Sequence, residues 1–164
     1  TDTGSIKIDM ASTETSVETS VKEDSEKTSG NTDDNSSDSI SANASPSQRT
    51  ILIAEDEDSN FDLLKAILGR KYRLIRARDG MEAVTSYDEA KPDLILMDIK
   101  MPNLDGLEAT KIIRELSPTV PIIAQSAYAS QQDQIAATDA GCSDFIAKPI
   151  SQAKLKDMIN KWLP

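Results

Sequence analysis

The sequence contains no histidine, one cysteine and one tryptophan, and aromatic residues make up only 4% of its 164 positions. Without histidine, the chain can form neither a Ser-His-Asp triad nor a histidine-bearing metal site, and it cannot carry a phosphohistidine. A single cysteine excludes an internal disulfide and a multi-cysteine zinc site, which favours a reducing, cytosolic environment. No apolar run reaches the roughly 20 residues of a membrane span, and no basic-then-apolar signal pattern opens the chain.

Basic residues are also scarce, because 18 Lys and Arg stand against 28 Asp and Glu, a formal net charge of −10. This balance argues against a nucleic-acid partner, which requires a basic footprint. Residues 1–49 carry −6 of the charge, with 12 Ser, 7 Thr and no aromatic residue. Their few apolar residues cannot bury enough surface to offset chain entropy. We therefore predict a disordered Ser/Thr-rich and acidic linker or tail over 1–49 and one folded domain over 50–164.

The region 50–164 alternates short apolar runs with helical patterns. The apolar runs predict strands over 51–54, 72–77, 94–97, 122–125 and 145–147. Helical spacing of apolar residues separates these strands, with Asp58 or Ser59 expected to cap the first helix. In the third helix we expect Ile112 and Leu116 to point inward. Such alternation indicates βαβ units, and therefore an α/β fold with a doubly wound parallel sheet of five strands.

Polar side chains stand where the predicted strands end. Glu55 and Asp56 follow the first strand, Asp98 ends the third, Ser126 the fourth and Lys148 the fifth. Open α/β sheets bind ligands outside the carboxyl ends of their strands, so these side chains are expected to share one rim. Clustered carboxylates suit Mg²⁺, and an adjacent lysine suits a phosphoryl group. Asp98 is thereby predicted to be an aspartyl nucleophile.

Four segments around these residues resemble the phosphoacceptor receiver domain of two-component response regulators. They are ILIAED (51–56), DLILMDIKMPNLDG (93–106), PIIAQSA (121–127) and FIAKP (145–149). The resemblance covers 50–164 and implies a flavodoxin-like (βα)5 fold. It implies that Asp98 accepts a phosphoryl group from the phosphohistidine of a partner, which is a histidine kinase or a phosphotransfer domain.

The resemblance also implies a metal site. Asp56 and Asp98 would bind Mg²⁺ directly, Glu55 would bind it through water, and the backbone carbonyl of Lys100 would complete the protein ligands. The Lys100 side chain stands at a position that tunes the lifetime of the acyl phosphate in this family. Glu55 replaces the commoner Asp but keeps the required carboxylate.

Further matching positions concern the phosphoryl group and the switch. Ser126, which replaces the commoner Thr, and Lys148 would contact the phosphoryl oxygens. Ser126 and Phe145 would change conformation on activation, and Pro149 would follow a cis peptide bond. Tyr128 stands at the second position that tunes acyl-phosphate lifetime. The weakly apolar helix over 131–140 is either the element that responds or a plain alanine-rich surface helix.

The parent protein is expected to be longer, since the chain starts at Thr1 rather than Met. The sequence ends at Pro164, right after the last predicted helix, and an acidic segment of 49 residues precedes the domain, so we expect the C-terminal receiver of a hybrid sensor histidine kinase rather than a stand-alone regulator. Residues 6–10 alternate apolar and polar side chains and would be the last strand of the upstream kinase domain. The domain itself is expected in the cytoplasm without membrane contact, although a membrane segment elsewhere could anchor the parent protein.

The sequence supports three other classes of protein less well. An unphosphorylated pseudo-receiver that serves as an interaction module is the main alternative, and the intact acids, Ser126 and Lys148 argue against it. An aspartyl phosphatase of the dehalogenase type needs a second Asp two residues after the nucleophile, where this chain has Lys100. A flavodoxin-like FMN protein needs phosphate-cradling hydroxyls and glycines after the first strand, where this chain has acids.

Overall fold

A computed structural model of the chain describes residues 48–164. Strands β1 (Thr50–Ala54), β2 (Arg73–Ala77), β3 (Leu94–Asp98), β4 (Ile122–Ser126) and β5 (Asp144–Ala147) alternate with helices α1 (Asp58–Leu68), α2 (Gly80–Ala90), α3 (Gly106–Leu116), α4 (Gln131–Ala140) and α5 (Gln152–Trp162). The strands are all parallel, in the order β2-β1-β3-β4-β5. The predicted fold class is therefore confirmed. Almost all of the predicted tail, and the strand-like segment 6–10, lie outside the described residues.

Two apolar cores lie on opposite faces of the sheet, which explains why the central strands have no polar alternation. In β3, Leu94 and Leu96 belong to the core beside α1 and α5, whereas Ile95 and Met97 belong to the core beside α2 and α3. Every residue of β3 is buried. Continuous apolar strands of this kind are typical of parallel sheets that helices cover on both faces.

The helix starts differ from one another in how they are capped. The carboxylate of Asp105 accepts hydrogen bonds from the backbone N–H groups of Leu107 and Glu108, which satisfies two free donors at the start of α3. The residue that caps α1 is Glu57, whose side chain makes no capping hydrogen bond. The prediction that Asp58 or Ser59 caps this helix is wrong. Asp58 is instead the first helical residue, and its carboxylate pairs with Arg76 of β2.

The inward face of α3 also differs from the prediction. Ala109 and Ile113 are fully buried, but Ile112 is 36% exposed and Leu116 50% exposed. Thr110 takes the buried position instead, because its hydroxyl donates to the carbonyl oxygen of Gly106 at 2.7 Å and so needs no solvent. The buried stripe of α3 is therefore narrower than its apolar residues suggest.

The start of α3 approaches the end of β3 closely. A Cβ atom at Gly106 would lie 2.0 Å from the carbonyl oxygen of Asp98, so only glycine fits at this position without a backbone shift. The N–H of Gly106 donates to the carbonyl oxygen of Ile99 at 3.0 Å. Among the described residues, no helix has the length and apolar character needed to cross a lipid bilayer.

Candidate functional site

The carboxyl ends of β1, β3 and β5 bring three charged side chains together. Lys148 Nζ donates to Asp98 Oδ2 at 2.6 Å and to Glu55 Oε2 at 2.8 Å. Glu55 is fully buried, Asp98 is 5% exposed, and the Lys148 side chain is 16% exposed. One ammonium group thus bridges two buried carboxylates that lie 43 positions apart in the sequence.

A third carboxylate completes an oxygen cluster at the same rim. One carboxylate oxygen from each of Glu55, Asp56 and Asp98 lies within 4.8 Å of the others. Hard oxygen donors at this spacing fit Mg²⁺, which prefers carboxylates and water to nitrogen or sulfur ligands. The chemistry of the donor set therefore matches the predicted cofactor. Asp56 is the least buried of the three, which leaves the cluster open to solvent on one side.

The hydrogen bonds around Glu55 hold its buried carboxylate in place. Asn60 Nδ2 donates to Glu55 Oε1 at 3.0 Å, while Oε2 accepts from Lys148. A buried carboxylate is costly to desolvate unless it is paired and hydrogen-bonded, and both conditions hold here. Asn60, in the first turn of α1, was not identified from the sequence as a site residue.

Opposing effects act on the pKa values of Asp98 and Lys148. Burial raises the pKa of the Asp98 carboxyl above its ordinary value, and the repulsion from Glu55 adds to this, although the hydrogen bond from Lys148 opposes it. Burial alone would lower the pKa of Lys148, but hydrogen bonds to Asp98 and Glu55 outweigh it and raise that pKa. Lys148 is therefore a cation at neutral pH, and Asp98 is protonated more easily than an exposed aspartate.

The remaining predicted residues lie around this cluster. The N–H of Lys100 donates to Asp98 Oδ1 at 3.0 Å, so each oxygen of Asp98 has its own donor. Ser126 is buried at the end of β4, and its hydroxyl oxygen accepts from the N–H of Tyr128 at 3.1 Å. The Tyr128 side chain is 67% exposed.

The last two predicted residues belong to β5 and the loop after it. Phe145 is half-buried and packs against a small cluster that includes Ile99, Ala124 and Ala137 of α4. The peptide bond between Lys148 and Pro149 is cis. The roles of all these residues in metal binding, phosphoryl contact and switching stay predictions.

Besides Asn60, two further polar residues beside the site were not identified from the sequence. Arg76 of β2 contacts the loop that carries Glu55 and Asp56, and a basic residue in an edge strand gives no signal of such a contact. Gln125 is fully buried, and within the described part of the chain neither its amide nitrogen nor its amide oxygen has a hydrogen-bond partner. The sequence did contain an indication of this residue, because Gln125 is the one polar side chain that follows the apolar run 122–124 within the predicted strand.

Comparison with known proteins gives consistent matches to the folded domain. A family model described as the response regulator receiver domain matches residues 51–160. The polar-differentiation response regulator DivK of Brucella anthropi is 36% identical over 118 residues, which cover 70% of this chain and 96% of that protein.

Solved structures agree with the sequence matches. The receiver domain of the sensor histidine kinase PA1611 from Pseudomonas aeruginosa, solved with a magnesium ion coordinated in the active-site cleft, is 38% identical with a TM-score of 0.66. That match covers 70% of this chain and 96% of the other. A chain of the Saccharomyces cerevisiae complex between the histidine phosphotransfer protein Ypd1 and the receiver domain of Ssk1 is 33% identical with a TM-score of 0.67. It covers 70% of this chain and 88% of the other.

Proposed function

The chain belongs to the response regulator receiver domain family, and we propose that it takes a phosphoryl group from a partner phosphohistidine onto Asp98. The observation that carries this proposal is the contact of Lys148 with both Glu55 and Asp98 at the carboxyl edge of the sheet. Two carboxylates and an ammonium group in contact at one edge support a nucleophilic role for Asp98 and a role for Lys148 in binding the phosphoryl oxygens. The chain has no histidine, so the donor must be another domain or protein.

Mg²⁺ is the proposed cofactor. Glu55, Asp56 and Asp98 would hold it with the backbone carbonyl of Lys100, and the spacing of the three carboxylates supports this set. When bound, Mg²⁺ neutralises charge on the transferring phosphoryl group. The structure of the Pseudomonas aeruginosa relative, which has a magnesium ion in its cleft, supports the same proposal.

The residues around Asp98 support an in-line transfer. The N–H of Lys100 and the ammonium of Lys148 fix the two oxygens of the Asp98 carboxylate, so the nucleophile is oriented before the donor arrives. Lys148 stays protonated at neutral pH and can balance the charge of the phosphoryl oxygens. The product is an aspartyl phosphate, which is hydrolysed or passed to a later acceptor.

Phosphorylation is proposed to act as a local electrostatic event that biases a two-state element. Ser126 would turn toward the phosphoryl oxygens, and Phe145 would repack beside α4. Ala137 and Ala140 are the only residues that α4 buries, and its one large apolar residue, Ile135, is 47% exposed. Little apolar burial means low local stability, which suits an element that moves.

We further propose that the partner is a histidine kinase or a phosphotransfer domain and that the domain acts in the cytoplasm. The receiver of a sensor kinase and the receiver bound to a phosphotransfer protein, both among the matches, support a partner of this kind. The proposed parent is a hybrid sensor histidine kinase in which residues 1–49 link kinase domains to the receiver. A covalent link of this sort raises the local concentration of acceptor at the donor to the order of millimolar.

The proposal is tested with acetyl phosphate as a small-molecule donor. Intact-mass spectrometry of the full chain should show the gain of one phosphoryl group with Mg²⁺ present, and no gain after chelation with EDTA. The exposed Lys154 gives a matched control, since Lys154→Met should react like wild type while Lys148→Met reacts far more slowly. A chain that takes up no phosphate and binds no Mg²⁺ at millimolar concentrations is a pseudo-receiver, and the proposal fails.

A further inference from the structure

Arg76 of β2 reaches across the edge of the sheet to the loop between β1 and α1. Its Nε and Nη2 both donate to the backbone carbonyl oxygen of Glu55 at 3.2 Å. Nη2 also donates to the backbone carbonyl oxygen of Asp56 at 3.1 Å. One guanidinium group therefore holds two successive peptide carbonyls, and these belong to the two acids that the loop contributes to the metal site.

The same guanidinium group is itself held in place. Nη1 donates to Asp58 Oδ1 at 2.5 Å, in the first turn of α1. The guanidinium carbon lies 4.5 Å from the centroid of the Phe61 ring, a distance at which a cation stacks favourably on an aromatic face. The Arg76 side chain is only 17% exposed, against 58% for Arg78, which contacts the same Asp58 oxygen at 3.2 Å. The Arg76 side chain is thus held by contacts with α1 and with the loop between β1 and α1, whereas Arg78 lies at the surface.

We propose that Arg76 is a positioning residue for the Mg²⁺ site, which fixes the peptide groups of Glu55 and Asp56 so that their carboxylates are held at metal-binding distance. This inference rests on the proposed Mg²⁺-dependent function. Within the described residues the hydrogen bonds of Arg76 go to these two backbone carbonyls and to Asp58, and none goes to a carboxylate of the metal site, so Arg76 would act through the backbone.

The hydrogen bonds of Arg76 and its positive charge are expected to have opposite effects on the affinity for Mg²⁺, which makes the proposal testable. A positive charge near the site repels Mg²⁺, so its removal alone would strengthen binding. Loss of the bonds to the two carbonyls would loosen the loop and weaken binding. Lysine keeps the charge but cannot reproduce the planar fork or the stacking on Phe61, so Arg76→Lys isolates the positional part.

The experiment is a Mg²⁺ titration of the ¹⁵N-labelled full chain, followed by the backbone amide signals of residues 55–58. For Arg76→Lys we expect the Mg²⁺ dissociation constant to rise about tenfold, at the low end of what the loss of an outer contact to a metal ligand costs. Arg76→Gln should also weaken binding, but less, because the repelling charge is gone. Arg78→Lys is the matched control and should bind like wild type, since among the described residues Arg78 makes no hydrogen bond to a loop carbonyl.

The outcomes separate this inference from the proposed function. Thermal unfolding without Mg²⁺ shows whether each variant is folded, and Phe61→Leu, which keeps Arg76 but removes its stacking partner, provides a milder variant with a smaller expected loss of affinity. Unchanged binding in Arg76→Lys together with tighter binding in Arg76→Gln would show a charge effect only and would overturn the inference. Failure of the wild-type chain to bind Mg²⁺ would instead remove the proposed function itself.

Discussion

Lys148 Nζ lies 2.6 Å from Asp98 Oδ2, although the two residues are 50 positions apart in the sequence. The same ammonium group also donates to Glu55, so Lys148 links the two buried carboxylates of the cluster. Removal of one partner from a buried ionic group leaves the others uncompensated. The stability of the domain and the reactivity of Asp98 are therefore expected to depend on the same side chain.

The first prediction concerns stability after loss of that contact. Lys148→Met should lower the free energy of unfolding by about 3 kcal/mol without Mg²⁺, since it leaves two buried carboxylates facing each other. Added MgCl₂ should restore part of the loss, because a divalent cation can replace the missing positive charge. Thermal unfolding with and without MgCl₂ measures both effects. Equal destabilisation in both conditions would show that the loss comes from packing rather than charge.

The second prediction concerns pH. Burial raises the pKa of Asp98 above its ordinary value of 3.8, so the ionised carboxylate is less favourable in the folded chain than in the unfolded chain. The ionised Asp98 therefore lowers the stability of the folded chain at pH values above its pKa in the folded state, and this destabilisation disappears as the pH falls below 3.8. Asp98→Asn mimics the protonated form and should raise the melting temperature at neutral pH without Mg²⁺.

The increase in melting temperature caused by Asp98→Asn should become smaller as the pH is lowered toward 4. It should also reverse with Mg²⁺, because at tenfold excess over the dissociation constant a ligand stabilises the wild-type fold by about 1.4 kcal/mol. Melting curves of both proteins from neutral to acidic pH, with and without MgCl₂, test these signs. A gain that is the same at every pH would mean that Asp98 has no raised pKa.

The third prediction concerns the buried amide of Gln125. Both of its polar atoms lack a partner within residues 48–164, and an unsatisfied buried group costs about 1–3 kcal/mol. Gln125→Met keeps the length of the side chain and should raise the free energy of unfolding by about 1 kcal/mol. Gln125→Glu should lower it, because a charge would then be buried without a partner. Chemical denaturation measures both variants, and a destabilised Met variant would show that the amide is satisfied in solution.

The fourth prediction concerns the glycine at the start of α3. Gly106→Ala would place a Cβ atom against the carbonyl oxygen of Asp98, and the backbone must move to relieve the overlap. We expect a loss of about 1–3 kcal/mol in stability. Since the displaced carbonyl belongs to Asp98, the proposed phosphoacceptor, the rate of phosphorylation should fall as well. An alanine variant with wild-type stability would show that the loop adjusts without strain.

Much of this site was predictable from the sequence because parallel strands deliver their carboxyl ends to one edge. Apolar runs that end in Glu55, Asp98 and Lys148 were enough to place these three residues together, and the structure has them in contact. Local spacing was sufficient because each residue lies at a strand end: Asp98 is the last residue of β3, and Glu55 and Lys148 directly follow β1 and β5. The bounds of the strands were also close, since β3 extends by only one residue beyond the predicted run.

The contacts that the sequence did not reveal depend on the reach of long side chains and on competition for burial. Arg76 contacts Glu55 and Asp56 from a neighbouring strand, about 20 residues away in the sequence, and no periodicity encodes such a bond. In α3, Thr110 is buried while Leu116 is not, because the Thr110 hydroxyl is satisfied by the carbonyl oxygen of Gly106 and lies 3.8 Å from Cys142 Sγ. An argument from helical periodicity assigns the buried positions of a helix to its apolar residues, and in α3 this assignment fails for Thr110 and Leu116.

Reduction of the acyl phosphate identifies the residue that receives the phosphoryl group, which we propose to be Asp98. After reaction with acetyl phosphate and Mg²⁺, sodium borohydride converts an aspartyl phosphate to homoserine, which peptide mass spectrometry locates. We predict homoserine at position 98 in the wild-type chain and none anywhere in Asp98→Asn. Homoserine at another aspartate of the wild-type chain, or an equal yield of phosphorylated protein from Asp98→Asn, would contradict the account.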